Sequence, residues 1–301
     1  MKTKKIILSI LTLFIFIVYK NSYGQWIKSD KGMEGKQIKS LAYNNKYIFA
    51  GSINTKSGVF RSSDNGKVWT PSLFSVNRII QLVVHDSIVI AAADNDGIYV
   101  SKNNGDNWDA KLTNNQIYAV AYNNDKFYSG TIGKKFYKSS DCGSKWDIVS
   151  NTLFQFRSLI AYDSIILAGT TEGVYFTSNG GINWHPTDLT AGLIISLSRF
   201  GNEIFAGTHN NGIYKSINNG INWIQFSTID IDNYLLTLDN FVLSGTYKGG
   251  IVVYSCNKLQ RRNEGLNKET VYAIIKVDND ILIGTGSSVF RRTICINPFT
   301  N

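Results

Sequence analysis

Short apolar stretches alternate with polar turns along most of the chain. In the first such unit, apolar and aromatic residues occupy positions 40–43, 47–51 and 58–62, and a fourth stretch begins at Trp69. Asn, Asp and Gly separate these stretches, as β-turns require. β-Branched and aromatic residues fill them, and sustained 3.6-residue periodicity is missing. The pattern predicts an all-β protein built from units of four short strands.

A motif that ends in Trp returns at a steady interval, and the closing tryptophans at 69, 108, 146, 184 and 223 are 38 or 39 residues apart. A second marker, Gly at 51, 130, 169, 207, 245 and 284 with Ala at 92, has the same period and counts seven units. Four strands per unit, repeated radially, predict a seven-bladed β-propeller of antiparallel blades. The Trp motif contributes Ser62, Asp64, Gly66, Trp69, Asn103, Gly105, Trp108, Asp141, Gly143, Trp146, Asn179, Gly181, Trp184, Asn218, Gly220 and Trp223.

The two ends of the chain complement each other. The seventh unit stops after three strands, whereas residues 25–28, which include Trp26, resemble a Trp strand and precede the first unit. We therefore predict that this N-terminal strand pairs with the last blade and closes the ring. A six-bladed ring with a loose terminal hairpin is the alternative.

The motif Ser/Thr-x-Asp/Asn-x-Gly-x-x-Trp resembles the Asp-box, or BNR, repeat of sialidases, sortilin-like propellers, xyloglucanases and the photosystem II assembly factor family. The resemblance covers residues 25–301. It implies a turn in which Asp64 and its equivalents bind backbone amides, Gly adopts positive φ and Trp packs between sheets. A calcium or sugar site is the alternative, but three of the five copies carry Asn, which favours a structural role.

The N-terminus has the layout of a secretory signal peptide. Lys2, Lys4 and Lys5 precede an apolar run over residues 6–18, which is short for a membrane span, and small residues at 22 and 24 suit cleavage before Gln25. We predict a signal peptide over 1–24, a propeller over 25–301 and export to the periplasm, the cell surface or the medium. An uncleaved membrane anchor is the alternative; the mature chain offers no other transmembrane span.

Composition supports a folded protein without a nucleic-acid partner. The chain has 43% hydrophobic and 18% charged residues, and only 3 Pro and 3 Cys. This excludes disordered, Pro-rich and disulfide-framework classes. The net charge of +9 includes four lysines of residues 1–24, which hold no acid, so residues 25–301 carry +5. These charges are scattered, unlike the basic patch of a nucleic-acid-binding protein.

No catalytic or metal-binding set is evident, and we predict no cofactor. His85, His185 and His209 are isolated, without the spacing of a zinc site. The acids Asp94, Asp96 and Glu172 fall on loops between second and third strands, but nothing in the sequence pairs them as a glycosidase requires. Cys256 and Cys295 occupy equivalent positions in adjoining blades. The sequence does not decide whether they form a disulfide.

One ring of positions varies between charged, aromatic and aliphatic residues. These positions lie twelve residues before the repeated Gly, and we expect them at the mouth of the central channel. Basic residues of nearby loops are expected at the same mouth. We predict a basic and aromatic ligand-binding patch there, with ordinary solvated loop residues as the alternative. The ring positions are Lys39, Ile80, Tyr118, Arg157, Ile195, Asn233 and Tyr272. The predicted patch takes from them Lys39, Tyr118, Arg157 and Tyr272, and adds Arg78, Lys134, Lys135 and His209 of nearby loops.

These features predict an exported, monomeric, non-enzymatic platform that binds a protein or an acidic glycan. The alternative is a glycan-active enzyme, either a sialidase-like glycoside hydrolase or a polysaccharide lyase. A carbohydrate-binding protein without turnover is a third possibility.

Overall fold

The computed structural model describes residues 24–73, 76–190, 192–228, 234–238, 241–255 and 258–293. They form seven four-stranded antiparallel blades arranged in a ring, and within these ranges every regular element is a strand. The predicted seven-bladed β-propeller is confirmed, and the six-bladed alternative is wrong. The N-terminal residues 1–23, most of the predicted signal peptide, lie outside the described residues, as do Asn233, Cys256 and Cys295.

Strands follow one another from the innermost to the outermost position in each of blades 1 to 6. Blades 1 to 3 contain β2 (Ile38–Tyr43), β3 (Ile48–Ser52), β4 (Val59–Ser62), β5 (Thr70–Leu73), β6 (Ile79–His85), β7 (Ile88–Ala93), β8 (Gly97–Ser101), β9 (Asp109–Lys111), β10 (Ile117–Asn123), β11 (Lys126–Thr131), β12 (Lys135–Ser139) and β13 (Asp147–Asn151). Blades 4 to 6 contain β14 (Phe156–Tyr162), β15 (Ile165–Thr170), β16 (Val174–Thr177), β17 (His185–Pro186), β18 (Ile194–Phe200), β19 (Glu203–Thr208), β20 (Ile213–Ser216), β21 (Ile224–Ser227), β22 (Tyr234–Leu238), β23 (Phe241–Thr246), β24 (Gly250–Ser255) and β25 (Lys258–Arg261).

Blade 7 combines the two ends of the chain. It contains β26 (Val271–Val277), β27 (Asp280–Thr285) and β28 (Val289–Thr293), and its outermost strand is β1 (Ile27–Lys28). Ile27 lies opposite Arg291 in an antiparallel pair. The predicted closure of the ring by the N-terminal strand is therefore confirmed.

Trp26 is held in the same way as a repeat tryptophan. Its indole Nε1 donates to the carbonyl oxygen of Arg262 at 2.7 Å, in the segment between blades 6 and 7. The indole of Trp69 likewise donates to Ser29 O at 2.8 Å, in the segment between blades 7 and 1. Both side chains are buried. The closing strand thus repeats the role of the outermost strand in blade 1.

The core lies between blades, and seven apolar clusters fill it. The repeated Gly of the second strand is where adjacent blades come closest. A Cβ atom added at Gly51 would lie 2.5 Å from Ile79 Cγ2 of the next blade, too near for any side chain. Close packing of successive sheets therefore explains the Gly at this position in blade 1 and its recurrence in five other units; blade 2 has Ala92 there.

In the described part of the chain, we find no helix that is long and apolar enough to cross a membrane.

Candidate functional site

The innermost strands surround a central cavity of about 300 Å³. Six of the seven ring positions predicted from the sequence line it, and Asn233 is outside the described residues. The neighbouring residue Tyr234 lines the cavity as well. The six predicted residues are Lys39, Ile80, Tyr118, Arg157, Ile195 and Tyr272.

A β-bulge explains why these side chains reach the cavity. In blade 1, Ile38 pairs with Ser52 and Ser40 pairs with Gly51, so Lys39 is an extra residue without a partner on β3. The same shift in register recurs at the ring position of blades 2, 3, 4, 5 and 7. A bulge bends the strand and redirects a side chain. The repeated bulge therefore turns one residue of each of these blades toward the channel.

Several polar side chains beside the bulges connect adjacent blades. Ser40 Oγ accepts the N–H of Leu82 at 2.8 Å. The Gln81 amide both accepts the N–H of Val120 at 2.8 Å and donates to the oxygen of Val120 at 3.0 Å. Because these groups are bound by backbone of the next blade, they stabilise the ring and are not available to a ligand.

Lys39 lies among tyrosines from blades 6 and 7. Its Nζ atom donates to the hydroxyl of Tyr234 and lies 4.4 Å from the centre of that ring and 4.7 Å from the centre of the Tyr272 ring. The two rings meet edge to face at 6.0 Å. Cation–π attraction therefore fixes the Lys39 ammonium group at one side of the cavity.

Arg157 lies against Tyr118, with its guanidinium carbon 5.0 Å from the ring centre. The Nε atom of Arg157 is buried and has no hydrogen-bond partner among the described residues. Ile80 of blade 2 and Ile195 of blade 5 also line the cavity and carry no charge. Around the ring, these two isoleucines separate the Tyr118–Arg157 pair from the cluster of Lys39, Tyr234 and Tyr272, one on each side of the pair. The cavity has two cationic groups, each backed by aromatic rings.

The other predicted binding residues are not part of the cavity lining. Arg78 is exposed, and its Nε lies 3.7 Å from a carboxylate oxygen of Asp94. Lys134, Lys135 and His209 are also exposed. Lys135 begins β12 and the other three lie on loops, whereas the bulge residues reach the channel.

Sequence reasoning missed Tyr234. Counting twelve places back from Gly245 selects Asn233, but Tyr234 pairs directly with Gly245, as Ser40 does with Gly51. Counting eleven residues back from Gly245 would have found Tyr234, because paired residues of the first and second strands are eleven residues apart at this position. The large aromatic side chain at a position that holds Ser, Ala or Gln in the other blades was the available signal.

Carboxylates are absent from the described lining of the cavity. Asp94 lies near Arg78, Asp96 Oδ2 accepts the N–H of Asn77 at 3.1 Å, and Glu172 is exposed. Among the residues with described positions, no group of three or more His, Cys, Asp or Glu side chains could hold a metal ion. The described lining can therefore bind an anion, and within it no two acids are paired as glycosidic bond cleavage requires.

The Trp-motif turns lie at the strand ends opposite the bulges, because they join third to fourth strands. In blade 1, Asp64 Oδ1 accepts the N–H of Val68 at 2.9 Å and that of Lys67 at 3.0 Å. Burial disfavours its charge, but these bonds and one from the Ser62 hydroxyl outweigh that effect and lower the pKa of the Asp64 carboxyl. Gly66 has a φ of 80°.

The same turn recurs in the other four copies. Asn103, Asp141, Asn179 and Asn218 each accept a backbone N–H four residues later at 2.9 to 3.1 Å. The N–H of Lys145 lowers the pKa of the Asp141 carboxyl, with help from Ser139. The carboxylate oxygens of Asp and the amide oxygens of Asn accept the same hydrogen bond, and each accepts it from the backbone of its own turn. These bonds support the structural interpretation of the motif.

No known protein-family model and no curated protein matches the chain. Solved structures are similar in fold. YCF48 bound to D1 peptide has a TM-score of 0.73 and 14% identity over 91% of this chain and 96% of that one. The extracellular domain of a putative one component system from B. thetaiotaomicron has a TM-score of 0.71 and 19% identity over 90% of this chain and 40% of that one.

An ancestral GH74 enzyme has a TM-score of 0.67 and 16% identity, over 90% of this chain and 46% of the enzyme. This chain thus spans less than half the length of the enzyme and of that extracellular domain. At these identities the likeness establishes a shared fold, and function has to be argued from the site.

Proposed function

We propose that this protein is an exported, non-enzymatic binding platform whose central cavity holds an anionic group of a protein partner. One observation carries the proposal: Arg157 faces the cavity with a buried Nε–H that has no acceptor among the described residues. Leaving such a donor unsatisfied costs about 1–3 kcal/mol. A bound carboxylate would accept its hydrogen bonds and remove that cost.

The aromatic residues favour a peptide over a sugar. Sugar-binding sites usually offer an open aromatic face, but here Lys39 covers a face of Tyr234 and of Tyr272, and Arg157 covers a face of Tyr118. These rings hold the cations in position. The cavity is also small, so it suits the end of a chain or a single acidic side chain. YCF48, a propeller of almost the same length, is similar in fold and has been solved with a peptide.

Export rests on the basic and apolar pattern of residues 1–24, and the Asp-box relationship rests on the Trp motif. The similarity in fold to extracellular domains is compatible with both.

Binding of defined anions tests the proposal. We expect fluorescently labelled tetraglutamate to bind with an affinity that falls as salt rises. Arg157→Ala should weaken binding by about tenfold or more, because a charge-assisted hydrogen bond to a carboxylate is lost. Fluorescence anisotropy at several salt concentrations measures both effects.

Arg199 offers a matched control. Its guanidinium carbon lies 4.1 Å from the centre of the Tyr162 ring, so it forms the same kind of pair outside the cavity. Arg199→Ala should leave the affinity within about twofold of the wild type. Equal losses in both variants, or no binding of tetraglutamate, would contradict the proposal. Tighter binding of tetragalacturonate would instead favour a glycan ligand, and its cleavage would favour the enzyme alternative.

A further inference from the structure

Each blade ends in an outer strand, and in the described part of the chain no other strand pairs with its outer edge. Such an edge presents unpaired N–H and C=O groups that can pair with a strand of another molecule. Soluble proteins commonly protect their edges with charged residues or proline. The seven outer strands can therefore be compared for this protection.

Six of the seven outer strands are protected in this way. Four of them carry a charged residue at or near an end, and two carry a proline. The residues are Lys28 in β1, Pro71 in β5, Asp109 and Lys111 in β9, Asp147 in β13, Pro186 in β17, and Arg261 in β25.

Blade 5 is the exception. Its outer strand β21 reads Ile-Gln-Phe-Ser and contains neither a charge nor a proline. It has a β-bulge at Phe226, as β5 and β13 also have bulges, but those two strands carry Pro71 and Asp147 in addition. Ile224 is 67% exposed, and Phe226 is exposed on the same side of the strand. The turn before β21 adds exposed Ile217 and Ile221. We call these four apolar residues together with β21 the blade 5 edge.

The blade 5 edge is held in place from within. The Phe226 ring packs edge to face on Phe205 at 5.2 Å and lies 5.5 Å from the ring of Tyr254 in blade 6. On the other side of the strand, Gln225 Nε2 donates to the oxygen of Asn211 at 3.2 Å. A partner strand would therefore meet a preformed edge and would not incur the entropic cost of ordering it.

We infer that the blade 5 edge is an interface between two copies of this chain, which pair antiparallel through β21. A two-fold pair brings the same surface of each copy together, so that surface has to be complementary to itself and free of repulsion between like charges. Two copies of β21 place apolar and uncharged residues against one another, with no like charges in contact. The charged outer strands of this basic protein would place like charges close together. The inference replaces the sequence-based expectation of a monomer and does not depend on the ligand of the cavity.

The mass of the protein in solution tests the inference. The protein should be purified from a host that exports it, so that its natural N-terminus is kept. We expect sedimentation equilibrium to show a mass that doubles between about 1 µM and about 500 µM, since one strand pair buries a small interface and gives a weak dimer. Ile224→Lys should keep the monomer mass over the whole range, because it adds a like charge to each copy.

Ile148→Lys is the matched control. Ile148 is 55% exposed on β13, an outer strand that already carries Asp147, and its replacement should leave dimerisation unchanged. Hydrogen exchange provides a readout without any substitution, because the amides of β21 should become more protected as the concentration rises. A wild-type protein that stays monomeric up to about 500 µM would overturn the inference, as would equal loss of the dimer in both variants.

Discussion

The turns between third and fourth strands and the bulges at the start of the first strands recur with the same period but differ in chemistry. In five blades the turn keeps the same residue types and the same hydrogen bonds, as at Asp64 and Asn103. At the bulges, by contrast, the side chain is Lys39 in one blade, Arg157 in another, and isoleucine or tyrosine elsewhere. The turns are uniform because each satisfies its own polar groups; the bulges vary because their side chains face a shared cavity.

This difference separates stability from binding. A residue in the repeated packing contributes to the same interface in each blade, so its loss should cost folding free energy. A bulge residue directs its side chain into the cavity and not between blades, so its loss should alter binding with little effect on folding. Three pairs of substitutions test the distinction.

The largest expected effect is on ring closure. Trp26 is buried between blades 6 and 7 and its indole donates to Arg262 O, so Trp26→Ala should lower the free energy of unfolding by about 3–5 kcal/mol. Ile27 is 61% exposed beside it, and Ile27→Ala should cost less than about 0.5 kcal/mol. Urea unfolding followed by tryptophan fluorescence measures both. Equal midpoints for the two variants would show that closure contributes little to stability.

A smaller effect, in the opposite direction, is expected at the cavity. Arg157→Met removes a guanidinium group whose Nε has no partner among the described residues, so stability should stay constant or rise by about 1 kcal/mol while anion binding is lost. Arg61→Met is the comparison, because Arg61 Nη1 donates at 2.6 Å to both Asn104 O and Asp106 Oδ1. That variant should be less stable by about 1 kcal/mol. Similar losses in both variants would indicate that Arg157 has a structural role.

The smallest effect concerns pH. The lowered pKa of Asp64 means that its contribution to stability is present above the unfolded pKa of about 3.9 and is lost as the pH falls through the folded pKa. Asp64→Asn should change stability by less than about 0.5 kcal/mol at pH 7, because Asn forms the same turn elsewhere. It should also flatten the decline in stability below about pH 4.

Asn103→Asp provides the converse test, since it adds a titrating carboxylate to an equivalent turn. We expect a steeper decline in stability with acid, measured by thermal unfolding between about pH 3 and pH 7. Identical acid profiles for the wild type and both variants would show that the turn carboxylates do not contribute to stability.

The repeat allowed much of the fold to be predicted. Trp69 and the other motif tryptophans set the period, the Gly at 51 and its equivalents counted the blades, and Trp26 identified the closing strand. These signals were reliable because each reflects local chemistry that recurs in most units. The candidate site was predicted less completely: the ring positions were found, but Tyr234 was missed by one residue of register.

The sequence by itself determined the blade count, the closure of the ring and the turn chemistry, because all three can be read from the repeat and from the incomplete units at the two ends of the chain. Only the tertiary structure decided which basic and aromatic residues meet. Lys39 and Tyr234 are 195 residues apart and come into contact because the ring brings blades 1 and 6 to the same cavity. Arg157 enters that cavity because a bulge redirects it, whereas Arg78 stays on the surface. The register of the first strands and the approach of distant blades around one cavity, which no local pattern contains, set these outcomes.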